Sequence, residues 1–206
     1  MSNNMNITYR LGERMYLNIT NRCTNRCLFC IRNTVDDGLG VDLWLPREPD
    51  AAEVIQAIQS AEGFPEFPEI VFCGYGEPLL RPDVVTEVAR FLKERNLKVR
   101  LNTNGQANLI HGRNVVSEFA PYVEAVSISL NAQDADTYTE LCRPIGGKDA
   151  YQAVLEFAVE CQRVIPRVTL TIVDWPGIDA QLCRQKAQSL GADFRVRSLT
   201  GKFENR

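Results

Sequence analysis

The sequence has no long apolar segment, no excess of either charge and only one histidine. No run approaches the roughly 18–20 apolar residues that a bilayer span requires. Lys and Arg number 23 against 26 Asp and Glu, a net charge of −3, which excludes a polybasic nucleic-acid binder. The polar start MSNNMNITYR lacks the apolar core of a secretory signal, so we expect a cytoplasmic protein.

The 206 residues do contain enough apolar material for an ordinary globular core. Hydrophobic residues make up 45% and charged residues 24% of the chain, a balance that excludes wholesale disorder. The length predicts a single domain over residues 1–206. The seven cysteines are unusual, because a reducing compartment disfavours disulfides and the number is odd. We therefore expect some cysteines to bind a metal or take part in chemistry.

Short apolar segments alternate with amphipathic helices along the whole chain. Asp50 and Glu53 have the spacing of a capping box, and Gly191 is placed to end the last helix. This alternation indicates right-handed βαβ units and a parallel sheet. Because six units are too few for a closed eight-stranded barrel, we predict an α/β fold with a partial (β/α)6 TIM-like barrel. The predicted strands are residues 15–20, 69–73, 97–101, 125–130, 167–173 and 194–199.

Three cysteines, Cys23, Cys27 and Cys30, form a C-x3-C-x2-C motif directly after the first predicted strand. Thiolates this close in one loop can converge on a single inorganic centre. A structural zinc site uses four protein ligands, a closed iron–sulfur cluster uses four cysteines, and His111 is far away in sequence. Three ligands therefore favour a cluster with one iron open to a cofactor or substrate. The alternative is a non-catalytic zinc-binding interaction module.

The motif, with the aromatic Phe29 just before its last cysteine, resembles the signature of the radical S-adenosylmethionine (radical SAM) superfamily. The resemblance implies a [4Fe-4S] cluster on the three cysteines, with S-adenosylmethionine chelating the open iron. It implies an enzyme in which reductive cleavage releases a 5′-deoxyadenosyl radical that abstracts hydrogen from an unidentified substrate. A glycyl-radical-type activase acting on a partner protein is the alternative. The cluster loop would be residues 21–32, followed by a flexible loop at about 33–49.

Further segments, each after a predicted strand, carry the same resemblance. Gly74-Tyr75-Gly76-Glu77-Pro78 resembles the family's G-G-E-P motif, with Tyr75 where the family has a glycine, and implies that Glu77 receives the methionyl ammonium. Residues 102–105 and 127–131 resemble the segments that contact the ribose and the methionyl carboxylate. The cofactor-binding residues implied in this way are Phe29, Gly74, Gly76, Glu77, Asn102, Asn104, Ser129 and Asn131.

The other four cysteines carry less information. We expect Cys73 and Cys161 to be core residues, because free cysteine behaves as a small hydrophobe. Cys142 and Cys183 are either core residues, auxiliary ligands or a hydrogen-atom donor.

Three remaining features concern access to the site. Arg143 is either a surface residue or a partner for a carboxylate. The apolar tip Leu43-Trp44-Leu45 of the long loop either packs over the barrel end or contacts a substrate. We expect one of Arg195 and Arg197 to point toward the concave face and the other away from it.

The motifs together with Ile31-Arg32-Asn33 and Leu43-Trp44-Leu45 are most similar to the TatD-linked radical SAM proteins. That similarity implies a TatD-type hydrolase in the same pathway. The superfamily resemblance implies an electron donor such as a flavodoxin or ferredoxin. Neither a membrane nor a nucleic acid is expected as a partner, and the substrate, small molecule or peptide, is not implied.

Overall fold

The computed structural model of the protein describes residues 5–34 and 38–199, which build one seven-stranded sheet flanked by helices. The strands stand in chain order across the sheet: β1 (Thr8–Leu11), β2 (Arg14–Leu17), β3 (Ile70–Phe72), β4 (Val99–Thr103), β5 (Ala125–Ser129), β6 (Arg167–Val173) and β7 (Asp193–Arg197). The α-helices are α1 (Ala51–Ser60), α2 (Pro82–Lys93), α3 (Ala107–His111), α4 (Val116–Phe119), α5 (Ala135–Cys142), α6 (Asp149–Val164) and α7 (Ala180–Ser189). Residues 35–37 of the long loop lie outside the described part.

Strands β2 to β7 pair in parallel, which confirms the six predicted strands and the α/β class. Strand β1 was not predicted, and it pairs with β2 in an antiparallel hairpin. The hairpin turns through two residues, Gly12 and Glu13, and Gly12 has a φ of +59°. A two-residue hairpin loop favours a positive φ, which glycine adopts without strain.

Local signals in the sequence begin and end several helices. The side chain of Asp50 accepts a hydrogen bond from the backbone N–H of Glu53 at 2.8 Å, and the Glu53 carboxylate accepts one from the N–H of Asp50, so the predicted capping box begins α1. Gly191, with a φ of +71°, follows the end of α7 as predicted. Helices α3 and α5 were not predicted. Asp134 caps α5, and Arg143 ends that helix in the left-handed region with a φ of +46°.

The core lies on both faces of the sheet. All residues of β3 are buried, as are the first four of β5, because helices cover one face and the loops of the strand ends cover much of the other. Strands β1 and β7 are the two edges and do not pair with each other, so the sheet is an open, partial barrel as expected. None of the helices in the described ranges is long and apolar enough to cross a membrane.

Candidate functional site

A cavity of about 360 Å³ opens at the carboxyl ends of the parallel strands. That is the edge where barrel enzymes place their chemistry. All eleven residues that the sequence motifs single out line this cavity: Cys23, Cys27, Phe29, Cys30, Gly74, Gly76, Glu77, Asn102, Asn104, Ser129 and Asn131. None of them lines a second cavity of about 560 Å³, which lies on the outside against α3 and α6.

The cysteine loop follows β2 and is held by the segment that ends α5. The backbone N–H groups of Arg26 and Leu28 donate to the carbonyls of Cys142 and Leu141, both at 2.9 Å. The N–H of Ile145 donates back to Thr24 at 2.9 Å. These three hydrogen bonds fix the backbone between the first and last cysteines of the motif.

The three thiols lie around the cavity and do not meet at one point. Within the described residues, no three His, Cys, Asp or Glu side chains come close enough to hold a single metal ion. Burial raises the pKa of Cys23 to about 12, and contact with the Cys142 thiol together with burial raises the pKa of Cys27 well above its usual range. Iron would supply the positive charge that such thiols need in order to ligate, since a coordinating thiol is deprotonated. Cys23, Cys27 and Cys30 would hold a four-iron cluster, a larger group that fits this spread of thiols better than a single ion does.

Glu77 joins the turn after β3 to the turn after β4. One carboxylate oxygen accepts from the Thr103 hydroxyl at 2.7 Å and from the N–H of Leu79 at 3.0 Å, and the other accepts from the N–H of Asn104 at 2.6 Å. The side chain is buried, and this burial raises its pKa to about 7. A carboxylate offers about four lone-pair positions, so one remains for a ligand in the cavity.

Gly74 and Gly76 are required by the neighbouring chain segment. A Cβ on Gly76 would collide with the backbone carbonyls of Thr20 and Arg22, where the cysteine loop begins. A Cβ on Gly74 would collide with the side chain of Asn18. The glycines therefore let the turn after β3 pack against the root of the cysteine loop, in addition to lining the cavity.

Asn104 supports the cysteine loop from the side of β4. Its amide donates to the Thr24 hydroxyl at 2.9 Å and lies 3.9 Å from the Cys23 sulfur. Its side-chain oxygen (Oδ1) accepts a hydrogen bond from the backbone N–H of Gln106 at 3.0 Å. Asn104 thus has its hydrogen bonds inside the protein, and its main role is to position the loop.

A buried polar network under the cysteine loop was not found from the sequence. The side-chain amide of Gln106 donates to the side-chain oxygen (Oδ1) of Asn25 at 2.7 Å and to the Tyr138 hydroxyl at 2.9 Å. The Asn25 amide donates to the same hydroxyl at 3.2 Å. These residues come from three distant parts of the chain, so no local pattern in the sequence could indicate the contact.

Asn131 presents a buried acceptor without a partner. Its backbone has a φ of +56°, and its Oδ1 is enclosed but accepts no hydrogen bond from a described residue. Since buried polar atoms are almost always paired, this oxygen is available to accept a hydrogen bond from a ligand or a water molecule in the cavity. Phe29 also lines the cavity, and its ring centroid lies 5.6 Å from that of Trp175.

The long loop is tied to the sheet by its backbone. The side chains of Asn18 and Asn21 donate to the carbonyls of Leu43 and Leu45, both at 2.7 Å, and both leucines are buried. Between them Trp44 is 51% exposed, and its ring lies edge-on to Tyr75 at 5.1 Å. Leu43 lines the cavity and Trp44 does not, so this tip closes the barrel end from outside.

The remaining cysteines and arginines separate into surface, core and cavity residues. Cys161 is fully buried, as predicted, but the core assignment of Cys73 is wrong, because Cys73 is partly exposed and lines the cavity at the end of β3. Cys142 and Cys183 are buried, and only Cys142 contacts the cysteine loop. Arg143 is a surface residue that does not line the cavity.

The expectation that Arg195 and Arg197 point to opposite sides is wrong. Residues two apart on a strand share a face, and both arginines line the cavity.

The comparison with protein families agrees with this geometry. The model of the radical SAM superfamily matches residues 17–182, from the last residue of β2 into α7. The chain belongs to the radical SAM superfamily. It is therefore a member of a family of enzymes whose cofactors are a [4Fe-4S] cluster and S-adenosylmethionine.

Two curated relatives give the range of the similarity. The chain is 33% identical over 91 residues to the tungsten-containing aldehyde ferredoxin oxidoreductase cofactor-modifying protein of Pyrococcus furiosus, covering 44% of this chain and 23% of that protein. It is 29% identical over 175 residues to GTP 3′,8-cyclase of Streptomyces coelicolor, covering 82% of this chain and 47% of that enzyme. The chain thus spans from about a quarter to about half of the length of these relatives.

A solved structure shares the fold. The radical S-adenosylmethionine methyltransferase TsrM from Kitasatospora setae, with cobalamin and a [4Fe-4S] cluster bound, matches at a TM-score of 0.55 and 12% identity. The match covers 89% of this chain and 36% of that one. At this identity the likeness supports the radical SAM fold.

Proposed function

We propose that this radical SAM protein holds one [4Fe-4S] cluster on Cys23, Cys27 and Cys30 and cleaves S-adenosylmethionine reductively. The observation that carries the proposal is that the three thiols and the eight residues of the cofactor motifs line one cavity. When bound, the cluster supplies the electron that breaks the sulfonium bond, and the 5′-deoxyadenosyl radical released then abstracts hydrogen from a substrate.

The residues around the thiols favour binding of the cofactor's methionyl end and ribose. Glu77 has one lone-pair position left, and a carboxylate in a buried site is a strong partner for an ammonium group. The enclosed Oδ1 of Asn131 is an acceptor for a ribose hydroxyl. Asn102 and Ser129 line the cavity beside them and can bind the remaining polar groups. Asn104 contributes by holding the cysteine loop in place.

The rigidity of the cysteine loop supports the same function. Electron transfer and hydrogen abstraction both need the reacting groups at fixed positions, and water must stay out of the site. The loop is fixed by three backbone hydrogen bonds to the end of α5 and by the buried network around Tyr138. A module that only bound zinc for stability would usually supply four ligands of its own.

Metal analysis of anaerobically reconstituted protein tests the cluster. We expect about four irons per chain and an iron–sulfur absorption spectrum. Replacement of Cys23, Cys27 or Cys30 by Ala should abolish the cluster, while Cys161→Ala, a buried thiol outside the cavity, should retain it. A full cluster in the Cys27→Ala protein, or zinc in place of iron in the wild type, would contradict the proposal.

Cys142 provides a sharper test because its thiol contacts Cys27. If three cysteines are the ligands, Cys142→Ala should keep the iron content of the wild type. Reduced protein should then convert S-adenosylmethionine to 5′-deoxyadenosine, and the Cys27→Ala protein should not. Loss of iron in Cys142→Ala equal to that in Cys27→Ala would instead make Cys142 a fourth ligand.

The electron has to come from another protein. We propose a small redox carrier such as a flavodoxin or ferredoxin as the donor, which an anaerobic assay with each reduced carrier would test. Modification of a partner protein, as by an activase, is the second candidate for the substrate step. The link to a TatD-type hydrolase stays a prediction of the sequence resemblance.

A further inference from the structure

Two arginines on the edge strand β7 line the cavity and have no side-chain partner within residues 5–34 and 38–199. Arg195 and Arg197 stand beside Thr171 and Val173 of β6 in the sheet register, and all four residues line the cavity. Neither guanidinium forms a hydrogen bond or an ion pair with any described residue. The Nε of Arg197 is enclosed and unpaired, although buried donors are nearly always satisfied.

Among the residues that the structure describes, few carboxylates lie near these arginines. Glu77 is the only carboxylate among the described residues that line the cavity, and it already accepts three hydrogen bonds at the ends of β3 and β4. Burial lowers the pKa of Arg197 and the positive charge of Arg195 also lowers it, whereas the nearby thiols of Cys73, Cys27 and Cys142 act in the opposite direction. Because arginine stays protonated in proteins, the partly buried charge of Arg197 favours binding of an anion in the cavity.

Hydroxyl groups extend this positive site across the sheet. Thr171 of β6 and Arg195 of β7 are neighbours in register on the cavity face, next to Ser129 of β5, which the proposed function assigns to the cofactor. Hydroxyls next to a guanidinium fork can bind several oxygens of one anionic group.

The arginines come from a strand that carries none of the cofactor motifs, although the charge of Arg197 reaches the thiols of Cys73, Cys27 and Cys142. The cysteines, Glu77 and Asn104 lie on the loops that follow β2, β3 and β4, whereas the arginines lie on β7 at the far edge of the open sheet. The cavity of about 360 Å³ must hold both cofactor and substrate, so only a small part of the substrate can enter it.

We infer that Arg195 and Arg197 bind the anionic group, a carboxylate or a phosphate, of the substrate. This inference rests on the proposed function, because it assigns to the substrate the part of the cavity that the cofactor motifs leave free. Under this inference, Arg195 and Arg197 determine which substrates the enzyme binds.

Equilibrium binding of two probes, inorganic phosphate and succinate, tests the inference. The protein is the anaerobically reconstituted chain, with iron content and S-adenosylmethionine binding measured before either probe is added. We expect saturable binding of at least one probe, weakened about tenfold or more in Arg197→Gln and in Arg195→Gln. Arg184→Gln is the matched control, since Arg184 lies over the Phe194 ring outside the cavity and its loss removes the same charge. Arg195 is exposed, so its variant should fold even if Arg197→Gln does not.

The outcomes separate the inference from the proposed function. Weakening confined to phosphate, or confined to succinate, supports the inference and names the anionic group. Unchanged binding in both variants, or equal weakening in Arg184→Gln, overturns it, as does a wild type that binds neither probe. Loss of iron in Arg197→Gln would show that Arg197 stabilises the cluster instead of binding substrate. Loss of S-adenosylmethionine binding in that variant would show that Arg197 binds the cofactor. Either result overturns the inference. Failure of the proposed function would already appear as a wild type without iron.

Discussion

The free energy of unfolding of the metal-free protein should fall as the pH rises from about 4.5 to about 7, because of Glu77. The side chain is only 5% exposed, and burial raises its pKa from the usual 4.5 to about 7. Three hydrogen bonds to the carboxylate oppose this shift without cancelling it. The folded state therefore keeps a proton that the unfolded state loses over this range.

The sign and the size of the effect follow from proton linkage. Stability falls with rising pH wherever the folded state binds more protons than the unfolded state, and it is unaffected by this group above about pH 7. A shift from 4.5 to about 7 corresponds to about 3 kcal/mol at 1.36 kcal/mol per pKa unit. Because the group is almost fully buried, solvent screening removes little of this value.

Urea unfolding at a series of pH values from 4.5 to 8, with a chelator and a reductant present, measures the dependence. Glu77→Gln should remove most of the slope, whatever its absolute stability, since the amide does not titrate. Glu87→Gln, an exposed residue of α2, should keep the slope of the wild type. A wild type whose stability does not change between pH 4.5 and 7, or a Glu77→Gln protein with the same slope, would refute the reasoning.

Two further substitutions test the contacts that shape the site. Gly76→Ala should lower the free energy of unfolding by about 1–3 kcal/mol or more and lower the iron content after reconstitution, because the new Cβ meets the carbonyls of Thr20 and Arg22. Gly146→Ala is the control for urea unfolding, since its Cβ would meet mainly the flexible end of the Leu109 side chain. Equal loss of stability in the two variants would contradict the prediction. Tyr138→Phe should cost about 1–3 kcal/mol in the same assay, because it leaves the buried amides of Asn25 and Gln106 without their shared acceptor. An unchanged unfolding midpoint in Tyr138→Phe would show that the network does not stabilise the fold.

The sequence predicts the parallel sheet and the location of the site well, because both depend on short-range patterns. Apolar runs such as the one at Ile70–Phe72 are long enough to identify buried strands. Each motif comes directly after a strand, and parallel strands end at the same edge of a sheet. The cysteines and Glu77 therefore had to lie near each other, as the structure shows.

Two elements were missed because their signals are weak or lie in another part of the chain. Strand β1 is four residues long, and only Gly12 in the two-residue turn indicates it. Helix α5 contains β-branched and short polar residues of low helix propensity, and it depends on its Asp134 cap and on buried side chains such as Tyr138. Packing against the rest of the protein overrides these local preferences.

The same helix explains why a cysteine motif indicates candidate ligands but does not position them. Cys23, Cys27 and Cys30 are set in a loop without regular structure over most of its length, and spacing alone leaves such a loop many conformations. The residues that follow Tyr138 along α5 and beyond it supply the backbone partners that select one of them. Asn104, fixed in turn by Glu77, supplies the matching contact from β4. The positions of the thiols thus depend on hydrogen bonds between segments that are distant in the chain. For this reason the sequence indicates the three cysteines but does not predict their positions in space.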